Sequence, residues 1–148
     1  MKVFIVFIAL LVANMTFISY QGDLNRYIRL QGFLKAVAEE AAAGAALYYD
    51  ETAYSHGVMI INREEGEKYI EYLVSEAGRK LSLKEGESLS AELEVFDGRD
   101  GTAVQGVSPW VTVTLHLNVS DLFRLPFLLK EQVIRSSKYE LADCKPGC

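Results

Sequence analysis

Few side chains in this sequence have types and spacing that could do chemistry. The two cysteines, Cys144 and Cys148, bracket Lys145-Pro146-Gly147 within the last five residues. Pro-Gly is a turn signal, so an oxidising compartment would let the thiols close a small disulfide loop; the alternative is a frayed tail with two free thiols. His56 and His116 are remote from each other and from the thiols, and set no metal-ligand spacing. His116 has no cysteine or carboxylate in evident register and reads as a surface histidine, as does His56. Asp97-x-x-Asp100 lies among glycines but lacks the length and the bidentate Glu of a calcium loop. It reads as a hairpin connection that extends to Pro109. Glu39-Glu40 and Glu64-Glu65 fall on segments rich in solvated charge, with nothing nearby to raise a carboxyl pKa. There is no nucleophile elbow, phosphate loop, His-Glu-x-x-His or glycine-rich dinucleotide turn. These residues predict a non-enzymatic protein that needs no cofactor and no metal.

The 148 residues carry a net charge of −5 with no basic stripe, which removes any footing for nucleic-acid binding. One modest domain plus an anchoring segment is the expected organisation. The anchor is read over residues 1–21. Val3 to Ala13 is entirely apolar, Asn14 and Thr16 interrupt, Met15, Phe17 and Ile18 continue, and Tyr20 sits where an interfacial aromatic would. Val3–Tyr20 would span about 27 Å as a helix, just short of a hydrocarbon core of about 30 Å. Membrane lipid is therefore the first expected partner, through residues 3–20. A cleaved signal peptide is the competing reading: Lys2 supplies a positive start, but Leu11-Val12-Ala13 is a poor cleavage site because Leu11 is bulky. The short tail before the apolar run predicts a single pass, with the N-terminus in the cytoplasm and the C-terminal domain outside. Arg26, Arg29 and Lys35 do not by themselves enforce that orientation.

An Ala-rich stalk helix is expected over 22–50. Leu30, Leu34, Val37, Ala41, Gly44 and Tyr48 are spaced 4, 3, 4, 3, 4, an a/d seam for helix packing. Lys35 and Glu39 form an i,i+4 pair off the seam. Two uses of the seam stay open: assembly with helices of other subunits, or packing on the domain's own sheet, the second favoured from about Ala36 to Tyr48. Small residues such as Ala38 and Ala42 are expected on an exposed face where neighbouring helices would meet. Anchor and stalk together would make one nearly continuous helix, weakened at Gly22 and Gly32.

An α+β domain is expected over 51–143, ahead of the cysteine-containing tail 144–148. Val58-Met59-Ile60-Ile61 reads as a short buried strand. Asn62 with Glu65 starts a helix from about Glu64 to Lys80, whose apolar residues recur at helical spacing. Leu89, Ala91, Leu93 and Val95 alternate with polar residues as a half-buried strand. Val111, Val113, Leu115, Leu117 and Val119 do the same more clearly, and a last strand runs from about Gln132 to Leu141. The fold class is thus α+β: a long N-terminal helix, then a small antiparallel sheet with one further helix. Asn118-Val119-Ser120 matches a glycosylation pattern, and the apolar stretch Leu122 to Leu129 is where an exposed patch would announce a partner.

Two stretches resemble the TadE/TadG-like proteins of bacterial tight-adherence pilus systems. One is Leu34-Lys-Ala-Val-Ala-Glu-Glu-Ala-Ala-Ala-Gly-Ala-Ala-Leu47, similar to the Ala-rich segment after that family's anchor. The other is Trp110-Val-Thr-Val-Thr-Leu115, followed by Leu122-Phe-Arg-Leu-Pro126 and the strand through Ser136-Ser-Lys-Tyr139. The resemblance implies a pilin-like fold, a membrane-anchored pilus or secretion assembly role, and self-association or pilin-like partners. It does not extend to a processing site, since Met1 to Gln21 contains neither a glycine nor an acid. An unprocessed assembly component and a chain preceded by a leader both remain open. A tethered or secreted ligand-binding or sensor domain is the alternative function.

Overall fold

The computed structural model describes residues 2–56, 58–97, 108–120, 122–123 and 132–141. The expectations placed on Cys144 and Cys148, on Asp100 and on most of Leu122–Leu129 lie outside the described residues.

Helix α1 runs unbroken over Lys2–Ala46, 45 residues, or about 68 Å at 1.5 Å per residue. No proline interrupts it, and it passes through Gly22 and Gly32 without a break. It closes by tightened turns, with the Leu47 N–H donating to Gly44 O at 3.1 Å and Tyr48 N–H to Ala45 O at 3.3 Å. A one-turn helix α2 (Glu51–Ser55), absent from the sequence reading, is capped by Asp50, whose Oδ1 accepts from the Thr52 and Ala53 amides.

The expected strand at Val58–Ile61 does not form. Val58 is exposed, and only Ile61 pairs, in an isolated bridge with Tyr49. The apolar run serves instead as a tie, with Asp50 N–H donating to Ile60 O at 2.8 Å and Asn62 N–H to Tyr48 O at 2.7 Å. Helix α3 (Arg63–Leu81) then begins at the Asn62 cap, as its sequence predicts, with Oδ1 accepting from Glu65 N–H.

Strands β1 (Ser88–Phe96), β2 (Trp110–Asn118) and β3 (Gln132–Glu140) form one antiparallel sheet in the order β1-β2-β3. Both helices lie on one face, α1 over β2 and β3, α3 over β1 and beside α1. Alternation puts Val111, Val113, Leu115 and Leu117 wholly inside. Leu34, Val37, Ala38, Ala41, Ala42, Ala45 and Ala46 of α1 cover them, completing the core with Ile61, Ile70, Ala77 and Val133. The α+β body therefore begins within α1 rather than at residue 51, because the sheet's apolar face needs the helix to cover it.

Candidate functional site

The first half of α1 stands apart from the core. Every large apolar residue from Val3 to Ile18 is at least 42% exposed, and Asp23 is the first buried residue of the helix. Residues 2–22 amount to about 31 Å of helix, the thickness of a hydrocarbon core. The two polar interruptions bond back into the helix: Asn14 Nδ2 donates to Leu10 O at 2.8 Å and Thr16 Oγ1 to Val12 O at 2.9 Å. These bonds meet the Thr16 hydroxyl proton and one Asn14 amide N–H within the helix. This helix is long and apolar enough to cross a membrane, properties that a signal sequence near an N-terminus shares.

The seam residues are drawn inward. Leu34, Val37 and Ala41 are buried in the body's own core, and Leu30 packs against it. Gly44 faces Tyr69 of α3 at close range: a Cβ added at Gly44 would lie 2.7 Å from the ring's Cζ. Tyr48 is partly exposed, its ring centroid 5.8 Å from that of Tyr69. Burial, with Glu40 and the neighbouring tyrosines, pushes the Tyr69 phenol above its ordinary pKa. Ala38 and Ala42, expected on an exposed face, are wholly buried, because this stripe of small side chains lets α1 approach the sheet and α3. Lys35 and Glu39 pair at 3.7 Å on the solvent side.

Three polar sites take shape only in the folded chain. Asp97, at the end of β1, is 2% exposed; its Oδ2 accepts from Ile61 N–H at 3.1 Å, tying the sheet to the chain entering α3. Glu87 accepts from Lys84 N–H at 2.9 Å and from the Ser120 amide and hydroxyl at 3.2 and 3.0 Å. The Lys84 amide above all, with Ser120, holds its carboxyl below the ordinary carboxylate pKa. His116 is only half-exposed on the sheet's outer face, and it does have a carboxylate neighbour: Glu92 Oε2 lies 3.6 Å from its Nε2, and Gln132 Nε2 lies 3.5 Å from its Nδ1. The 3.6 Å separation leaves Nε2 without a hydrogen bond. Phe96 and Trp110 stack farther along this face, with Lys138 Nζ 4.8 Å above the Trp110 ring.

A groove of about 330 Å³ runs between α3 and β1, floored by Ile70, Val74, Ala91 and Leu93 and rimmed by Glu67 and Glu71. Among the described residues no group of three His, Cys, Asp or Glu side chains is arranged to hold a metal ion. No protein-family model, curated protein or solved structure matches this chain.

Proposed function

We propose that this chain is a membrane-anchored, non-enzymatic envelope component. In this reading the first half of α1 lies in the bilayer and holds the α+β body outside the cytoplasm, where it serves in a pilin-like, TadE/TadG-like assembly. One observation carries the proposal. A single helix is apolar and exposed on all sides over Val3–Ile18, and becomes the core helix of a folded body from Leu34 onward. Leaving so much apolar surface in water would cost heavily, and lipid removes that cost. In chain order the long helix α1 is followed by α2, helix α3 and then the antiparallel sheet, an α+β body carried on the end of the apolar helix.

Because Leu34, Val37 and Ala41 are spent in the core, contacts between copies through α1 fall to the anchor half. There Phe7, Leu10, Leu11, Asn14 and Met15 share one apolar surface. The test is fractionation of cells making the full chain, with intact mass of what is recovered. Full-length protein that resists alkaline extraction, and a Thr52→Cys chain carrying Cys144→Ser and Cys148→Ser that an impermeant thiol reagent labels from outside, support the reading. Soluble protein whose mass lacks the apolar segment overturns it.

A further inference from the structure

We infer that copies of this chain join edge to edge through their sheets, with β3 of one copy laid along β1 of the next. The inference deepens the proposed function by naming the partner, a second copy of this chain, and rests on it for the shared orientation and common height of the copies.

Among the described residues both sheet edges are unpaired: no strand lies beside β1 or β3 on its outer side. Each edge is nine residues long, or about 30 Å. Neither contains proline or a bulge, and the charges that guard them against unspecific pairing are of opposite sign where the two edges would meet, Glu92 and Glu94 on β1 against Arg135 and Lys138 on β3.

The two edges are complementary in charge and in face. Glu67 and Glu71 lie on the side of α3 turned away from α1, above the apolar floor beside β1. Neither makes an ion pair among the described residues. Glu92 and Glu94 project from the outer face of β1. On β3 the helix-side face carries Arg135, opposite the buried Leu115, and the outer face carries Lys138. Laying β3 along β1 with helix sides matched sets Arg135 over the groove near Glu67 and Glu71, and Lys138 beside Glu94. Lys138 already pairs with Glu140 at 2.6 Å, so the Arg135 contact is the new one.

The anchor fixes the register. Ser88 pairs with Asn118, and Asn118 with Gln132, so residues 88 and 132 lie at one level along the strands. With the strands along the membrane normal, copies standing at one height bring 132–140 of one against 88–96 of the next. They share an up–down sense, so the junction is parallel. All nine positions overlap with the faces preserved, and Ile134 falls opposite Ser90. The contact is head-to-tail and leaves free edges at both ends, so it propagates as a row.

The experiment uses the full chain in native membranes with Cys144→Ser and Cys148→Ser, adding Ser90→Cys and Ile134→Cys singly and together. Within one copy these positions flank His116 on either side of β2, about 10 Å apart and beyond disulfide reach. Oxidation is expected to give a ladder of multimers with the double variant and none with either single. Glu67→Lys with Glu71→Lys should abolish the ladder, and adding Arg135→Glu should restore it. No ladder, a dimer from one single variant alone, or bonding only to a different protein overturns the inference. A membrane-held chain without a ladder refutes edge pairing alone. A ladder from a chain found soluble refutes the membrane reading and leaves edge pairing standing.

Discussion

Deleting residues 1–21 should leave a folded body, whereas deleting residues 1–46 should unfold it. The first cut removes side chains that contribute no core surface, since Asp23 is the first buried residue of α1. The second removes Leu34, Val37 and five buried alanines, all at most 9% exposed. At ~0.8 kcal/mol per buried CH₂ or CH₃ these side chains contribute about 10 kcal/mol of transfer free energy. That rivals the whole stability of a domain this size, about 5–15 kcal/mol. The second cut also bares the apolar face of β2. The assay is thermal and urea unfolding of the two truncated chains, followed by circular dichroism. The 22–148 chain should be soluble and unfold in one cooperative step, and the 47–148 chain should show no transition or aggregate. A 47–148 chain that melts cooperatively at the temperature of 22–148 would refute the claim that α1 is part of the body.

Three further outcomes follow from the local geometry. Gly44→Ala should lower stability: its Cβ would press on the Tyr69 ring, an overpacking cost of about 1–3 kcal/mol against a helix gain of up to about 1. Gly32→Ala, with open space around it, should gain up to about 1 kcal/mol in the same melts. Asp97→Ala should cost about 1–3 kcal/mol in urea unfolding, because it strands the buried Ile61 amide. Glu87 has a depressed folded-state pKa, so its stabilisation is present above the unfolded carboxyl pKa and lost as pH falls through the folded value. Unfolding free energies of the wild type and Glu87→Gln should therefore differ at neutral pH and converge in acid. Curves that stay parallel would refute this role.

Much of the fold is legible in the sequence because its periodicities are long. Nine residues of strict alternation define β2, and apolar positions at helical spacing behind the Asn62 cap define α3. Val58–Ile61 failed because a four-residue apolar run has no period; its one buried member, Ile61, is held by Tyr49 and Asp97 from distant segments. The a/d seam shows that α1 has a buried stripe but not what covers it. Sheet, α3 and neighbouring subunit all demand the same spacing, so Ala38 and Ala42 could be read as exposed when they are core. The His116–Glu92 approach requires the strand register. Ser90, not Glu92, stands directly opposite His116, and the carboxylate arrives on the diagonal. The α3–β1 groove needs both that register and the placement of α3, and no single segment announces it.

The continuity of α1 makes anchor and body mechanically one piece. A flexible tether would let a body with two unpaired edges meet its neighbours in any orientation. An unbroken helix removes most of that freedom. If residues 2–22 lie in a bilayer as proposed, they fix the height and up–down sense of the sheet, because the same helix reaches the core at Leu34 without a hinge at Gly22 or Gly32. Only rotation about the membrane normal and sliding in its plane remain, and under these β1 can meet β3 of a neighbour but cannot meet an inverted copy. In the proposed reading, the apolar half of the helix would act as the specificity device for the polar half of the molecule. Inserting two residues within α1 between Tyr20 and Asp23 would rotate the body by about 200° and lift it by about 3 Å relative to the anchor. Sheet pairing at a common height survives that change, because every copy is displaced alike. Mixing inserted and native copies would break the register between unlike neighbours and leave it intact between like ones.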